Sequence, residues 1–127
     1  MLTKITLKDY TTFIKETTFD FKATNYKILE DTNVGSNRIL KGALFVGENA
    51  SGKTQVLNSI VLLLDLFLDN AEQNFIVRKS MYTKGTKFSL TYTFNINEND
   101  IKYSVEFESN TINSEKLYEN NELKLER

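Results

Sequence analysis

Eight residues, Gly47-Glu48-Asn49-Ala50-Ser51-Gly52-Lys53-Thr54, hold the most concentrated chemistry in this chain. They fit the spacing G-x-x-x-x-G-K-[ST], which has a physical rationale. A turn rich in small residues lets successive backbone N–H groups converge on a polyphosphate. A helix that follows adds its positive N-terminal end to the same anion. Lys53 is placed to bridge the β- and γ-phosphates as a point charge, and the Thr54 hydroxyl to sit on a Mg²⁺ ion. The expected ligand-binding set is Gly47, Glu48, Asn49, Ala50, Ser51, Gly52, Lys53, Thr54 and the adjoining Gln55, with Thr54 as the metal ligand. The plain alternative is a Gly/Asn-rich turn with no ligand.

Two elements have to position this loop. Residues 39–46 read as the strand that delivers it, and the continuous apolar run Ala43-Leu44-Phe45-Val46 is what a strand buried on both faces looks like. Beyond Gly52, residues 53 to about 70 read as a helix. Its polar positions Gln55, Asn58/Ser59, Asp65 and Asp69 form a narrow stripe. Val56, Leu57, Ile60, Val61, Leu63, Leu64, Phe67 and Leu68 cover most of the rest, so the helix is expected to pack against more than one neighbour. The run Val61-Leu62-Leu63-Leu64-Asp65 imitates a Walker B strand ending in a metal-binding aspartate. A strand starting there would leave the preceding helix under two turns, so the run is assigned to the helix and Asp65 to its solvent side.

The rest of the chain reads as strands. Leu2, Ile5 and Leu7 are candidate inward residues of a first strand. Asp9-Tyr10-Thr11-Thr12 reads as a turn, and Phe13-Ile14 with Thr17-Thr18-Phe19-Asp20-Phe21 as an antiparallel second strand. Phe13, Phe19 and Phe21 read as core, with an aromatic box for a base as the other possibility. Residues 25–29 continue in extended form and residues 31–37 form a polar loop. From Thr86 onward the period becomes two. Phe88, Leu90, Tyr92 and Phe94 share one face, and after a turn at Asn97-Glu98-Asn99-Asp100 so do Ile101, Tyr103, Val105 and Phe107. Ser109-Asn110 turns the chain again. Residues 111–118 add a third strand with Ile112, Leu117 and Tyr118, and the charged residues 119–127 read as a strand, a helix start or a cut end.

Composition narrows the chemistry. A length of 127 residues fits one domain, and 40% hydrophobic residues suffice for a core. Sixteen basic against seventeen acidic residues leave a net charge of −1, so no global field draws the chain to nucleic acid or to an anionic membrane. With no cysteine there is no disulfide, thiolate zinc site or thiol nucleophile, and with no histidine there is no usual general base or Ser-His-Asp triad. Phosphoryl chemistry run on carboxylates, lysines and a bound metal survives these exclusions. No apolar run is long enough to span a bilayer and no signal peptide is visible, which fits a cytoplasmic chain without a membrane partner.

Taken in order, the Ile5-Thr6-Leu7-Lys8-Asp9-Tyr10 start, the Thr17-Thr18-Phe19-Asp20-Phe21 strand and the run from Ile39 to Thr54 resemble the N-terminal lobe of bacterial ATPases with ABC-type heads. These belong to the RecF, structural-maintenance-of-chromosomes and OLD group, which includes many AAA family and antiphage ATPases. The resemblance extends through the Phe88-to-Tyr118 meander. It implies an α/β (α+β mixed) fold, a phosphate-loop lobe with a strand–loop–helix unit and an antiparallel β-meander. It implies ATP and Mg²⁺ as cofactors, with Asn49 toward the γ-phosphate, Lys53 on the phosphates and Thr54 on the metal. The family's N-terminal motif usually has a basic residue near the nucleotide where this chain has Thr11, and the loop 31–38 would line the adenine side.

ABC-type heads also need a glutamine loop, a signature motif, a Walker B strand with a catalytic glutamate, and a switch histidine. Gln55 and Gln73 both lie too close to the phosphate loop, and no catalytic residue is identified. Residues 1–127 are therefore expected to be the N-terminal lobe of a larger ATPase, or a truncated gene product. The full-length protein would hydrolyse ATP, with the rest of the head and a second head as partners; the lobe alone would bind ATP without turnover. A GTP switch lacks its Asn-Lys-x-Asp and Asp-x-x-Gly elements, and a nucleotide kinase lid is not evident in the scattered Arg38, Arg78 and Arg127. The remaining alternative is a non-hydrolysing nucleotide-binding or protein-interaction module that works through the β-meander.

Overall fold

A computed structural model describes residues 1–24, 29–68, 80–108 and 111–127. Six strands form one sheet: β1 Leu2–Lys8, β2 Thr17–Asp20, β3 Lys87–Ile96, β4 Asn99–Glu108, β5 Thr111–Glu119 and β6 Glu122–Glu126. They are ordered β2-β1-β3-β4-β5-β6, every neighbouring pair antiparallel. Among the described residues two α-helices accompany them, a single turn α1 at Glu30–Asn33 and the long α2 at Lys53–Phe67, with a 3-10 turn at Ser36–Arg38. The chain is thus a mixed α/β protein dominated by an antiparallel meander.

The meander follows from the period-two pattern. Phe88, Leu90, Tyr92, Tyr103, Val105 and Phe107 are all buried on one face, with Phe88 stacked on Phe107 at 4.7 Å between ring centroids. The β3–β4 turn is two residues long, Asn97 (φ 49°) and Glu98 (φ 68°), and the same geometry recurs at Asn120 (φ 49°) and Asn121 (φ 68°) between β5 and β6. Consecutive left-handed residues match the twist of the flanking strands, and asparagine tolerates that conformation better than most side chains. Within the charged residues 119–127, Glu122–Glu126 accordingly form a sixth strand.

β1 settles a phase slip in the sequence pattern. Thr3, Ile5 and Leu7 are the buried residues, whereas Leu2 is only half-buried. The register against β3 shifts between Leu2 and Lys4, and the Thr3 hydroxyl donates to the Thr93 carbonyl at 3.0 Å. A hydroxyl satisfied in this way can occupy a core position. In β5 the buried residue is Glu115, while Ile112 is exposed and Tyr118 half-buried. The Glu115 carboxylate accepts from the Tyr103 hydroxyl and the Arg127 guanidinium. Burial pushes the Glu115 carboxyl up, but the bonds from Arg127 and Tyr103 and the Arg127 charge outweigh it and hold it below its ordinary value. Burial and the facing carboxylate push the Tyr103 phenol up.

α2 lies across the buried face of the sheet. Val56, Leu62 and Leu63 join the core formed by Ile5, Leu7, Leu90 and Tyr92, and Phe67 meets Tyr103 with ring centroids 5.2 Å apart. The imitation Walker B run lies within this helix, as its assignment requires. Ser59 departs from the polar stripe: it is fully buried, its hydroxyl donating to the Val56 carbonyl and its own carbonyl accepting from the Tyr92 hydroxyl at 2.6 Å. Phe13, Phe19 and Phe21 pack against the core edge, as their reading as core requires. Asp69, Asn70, Gln73, Arg78, the turn at Ser109-Asn110 and most of the extended stretch 25–29 lie outside the described residues.

The strand expected at residues 39–46 is not present among the described residues. Ile39 and Leu40 make single bridges to Lys22 and Val34, and residues 42–47 have no strand partner. Leu44 and Val46 are each 85% exposed, opposite to burial on both faces. The reason is a missing neighbour: an apolar run becomes a strand only where another strand pairs its N–H and C=O groups. Only Phe45 turns inward, its ring edge-on to Phe19 at 5.7 Å.

Candidate nucleotide-binding site

The segment that leads into α2 is shaped by two left-handed residues, Ala50 (φ 64°) and Gly52 (φ 92°). Gly52 is the residue before the helix and makes no side-chain cap. Its carbonyl accepts from the Gln55 and Val56 N–H groups at 3.0 and 3.1 Å. Glycine is required here on two counts. The conformation disfavours any Cβ, and a Cβ would stand 2.9 Å from the Phe13 ring and 3.0 Å from the Thr12 hydroxyl. The loop is therefore seated directly on the β1–β2 turn.

Lys53 folds back over the loop. Its ammonium donates to the Gly47 carbonyl at 2.8 Å, the Glu48 carbonyl at 2.6 Å and the Ser51 hydroxyl at 3.3 Å. An ammonium has three N–H donors, so this arrangement uses all of them within the loop. A ligand anion has to win the ammonium from two carbonyls.

A hollow of about 330 Å³ opens beside the helix start, lined by Thr12, Asn49, Ala50, Ser51, Gly52, Lys53, Thr54 and Gln55. Ligand pockets begin at roughly this size. Gly47 and Glu48 are outside that lining and contribute carbonyls to Lys53 instead. Among the described lining residues Lys53 is the one formal charge, and the uncapped first turn of α2 adds unsatisfied N–H groups of the same sign. Thr54 brings one hydroxyl for a cation. No three His, Cys, Asp or Glu residues converge as a metal site among the described residues. A Mg²⁺ here would rest on Thr54 and on the phosphates of its nucleotide, a mode that this ion commonly uses.

Thr12 is the lining residue that the sequence did not single out. The family pattern draws attention to Thr11, but Thr11 is absent from the lining, and its hydroxyl is buried without a hydrogen-bond partner. The loop 31–38 is not brought to this hollow either. Its Asn37 borders a different one of about 410 Å³ with Met1, Ile39, Asn95, Ile96, Asn97 and Glu98.

The other side of α2 is apolar and exposed. Leu57, Val61, Leu64, Phe67 and Leu68 are each about half exposed or more. Positions 57, 61, 64 and 68 follow the 4-3-4 spacing of a continuous helical stripe, and Leu44 and Val46 are exposed apolar residues as well. No helix among the described residues is long and apolar enough to cross a membrane. The chain matches no protein-family model and no curated protein sequence. What the fold itself defines is a six-stranded antiparallel sheet with one long helix across it, the helix starting from a lysine-closed loop.

Proposed function

We propose that this chain is a nucleotide-binding lobe of an ABC-type ATPase, gripping MgATP through Gly47-Glu48-Asn49-Ala50-Ser51-Gly52-Lys53-Thr54. The observation that carries the reading is the convergence of Lys53, Thr54 and the uncapped start of a fifteen-residue helix on one hollow. Lys53 would neutralise β- and γ-phosphate charge, Thr54 would take a position on Mg²⁺, and backbone N–H groups of the loop would hold the remaining oxygens. ATP bound with Mg²⁺ supplies the phosphoryl group; activation of water needs a carboxylate from outside the lobe. The apolar stripe on α2, with Leu44 and Val46, supports a covering lobe of the same head. Head pairing and a cytoplasmic location follow from the same family reading.

A module working through the meander has less support. The sheet face turned away from α2 carries paired charges such as Lys4–Asp20, Lys87–Glu106 and Lys116–Glu126, whereas Leu57, Val61, Leu64 and Leu68 expose an apolar stripe along the helix. The test is calorimetric titration of the chain with MgATP and with GTP. Saturable binding of MgATP is expected; absence of binding at millimolar nucleotide refutes the reading.

A further inference from the structure

β6 is held differently from the other strands. All five of its residues, Glu122–Glu126, are exposed, none belongs to the core cluster, and β5 is its one sheet neighbour among the described residues. Lys116–Glu126 at 2.7 Å and Lys124–Glu122 at 2.6 Å are surface pairs, which contribute little. The hold on a buried group comes from the next residue. The Arg127 guanidinium donates to the Glu115 carboxylate, and the two backbones exchange hydrogen bonds of 2.7 and 3.0 Å. A backbone ladder and this one latch keep β6 in place.

The turn that folds β6 back onto β5 is short and strained. A two-residue turn with both residues left-handed favours glycine at its second position, and here that position is Asn121 (φ 68°). A side chain there carries a cost that glycine would not. Asn120 is fixed to β4: its N–H donates to the Asp100 carbonyl at 2.8 Å, its side-chain oxygen accepts from the Asp100 N–H at 3.0 Å, and its amide donates to the Asn99 side chain at 2.8 Å. The Asn121 side chain has no such tie among the described residues. Extending the chain at Asn121 relieves the strain and leaves the anchors of Asn120 in place.

We propose that β6 is exchanged between two copies of this chain, each laying its Glu122–Glu126 along β5 of the other. The fit is already displayed within one copy, because the edge of β5 is the surface that this strand occupies. In the exchanged pair every β5–β6 ladder bond and the Arg127–Glu115 contact re-form between copies while both hinges relax. Against this stands the lost freedom of two chains held together. A copy that has let go of β6 leaves the buried Glu115 carboxylate without its guanidinium, so the bare edge favours recapture of a β6. The β3–β4 turn is left-handed too, but opening it would pull Tyr103, Val105 and Phe107 out of the core. The loop ahead of α2 takes no part in the exchange.

The experiment is light scattering after size-exclusion chromatography of the chain refolded at millimolar concentration, with and without the pair Lys116→Cys and Glu126→Cys. The chain has no cysteine of its own, and these two positions are cross-strand partners, so oxidation ties β5 to the β6 that lies on it. A dimer is expected whose oxidised form stays covalently joined under denaturing conditions, beside a monomer closed by an internal disulfide. Asn121→Pro fixes φ at about −65° and cannot make the turn, so the dimer should become the main species. Asn121→Gly relaxes the closed turn, and with two hinges per dimer association should weaken by roughly tenfold. Absence of a dimer from both the unmodified chain and Asn121→Pro overturns the proposal, as does a dimer whose disulfides are all internal. Should thermal melts show Asn121→Pro unfolded, equal association of the unmodified chain and Asn121→Gly overturns it instead.

Discussion

Under the proposed function, replacing Lys53 by alanine separates a ligand role for this residue from its structural one. In the structure its ammonium donates three hydrogen bonds inside the loop, at 2.8 Å to Gly47, 2.6 Å to Glu48 and 3.3 Å to Ser51. Binding a triphosphate exchanges these for bonds to phosphate oxygens, so the affinity depends on the difference and not on the gross interaction. A hydrogen bond with a charged partner contributes about 1.5–3 kcal/mol. The ammonium's bonds to neutral carbonyls belong at the low end of that range, and its bonds to phosphate, where both partners are charged, at the high end. Exchanging two carbonyl acceptors for two phosphate oxygens therefore leaves about 3 kcal/mol, or roughly 150-fold in Kd. Micromolar binding would thus move toward the millimolar range, where a calorimetric titration with MgATP no longer saturates. The fold should hardly respond. The three bonds are solvent-exposed and close within the loop itself, and Lys53 is no part of the core that holds Val56, Leu62 and Leu63. A Kd within about twofold of the unmodified chain, with an unchanged melting temperature, would refute the reasoning at its root.

Two further outcomes follow from the same geometry. The folded carboxyl of Glu115 lies below its ordinary value of 4.5 because the Arg127 and Tyr103 contacts outweigh its burial, so at acid pH the unfolded chain binds the extra proton. Its contribution is complete above the unfolded value and disappears as pH falls through the folded one; urea melts between pH 6 and 3, taken as roughly the carboxylate range, should show that loss, and Glu115→Gln should flatten it. Hydrogen exchange should read the loop: MgATP should slow the amides of Ser51, Gly52 and Lys53 while those of Leu44 and Val46 stay fast. Equal protection of both groups in the isolated chain would argue against the unpaired arm described above.

The meander was legible because a strand with one buried face must alternate, and Phe88 to Phe94 and Ile101 to Phe107 do so without interruption. Three of the buried polar residues, Thr3, Ser59 and Glu115, were not legible. Thr3 and Ser59 sit in the core by donating to the Thr93 and Val56 carbonyls, and composition alone cannot distinguish such a hydroxyl from a surface one. Glu115 depends on Tyr103 and Arg127, each twelve positions away and brought beside it by the register of β4, β5 and β6. The exposed Thr12 was not legible at the site for a similar reason, since its neighbour Gly52 becomes a neighbour only through the turn. The run 43–46 failed in the opposite sense. Its apolar residues are as the pattern requires, but which surface covers them is a property of the neighbour and is not written in the run.

That exposed run changes how the site should be viewed mechanically. The two arms of the loop are held unequally. The C-terminal arm enters α2, anchored by the nearly fully buried Val56 and by the contact of Gly52 with the β1–β2 turn. The N-terminal arm has Phe45 as its inward residue, with Leu44 and Val46 turned out. Lys53 is the strut between them, since the carbonyls it holds, Gly47 and Glu48, belong to the N-terminal side while its own backbone starts the helix. Under the proposed function this sets a competition. Phosphate draws the ammonium away and so loosens the arm, unless another surface holds Leu44 and Val46 in its place. A covering lobe would therefore raise nucleotide affinity without touching the nucleotide, and by linkage the nucleotide would strengthen docking of that lobe by the same factor.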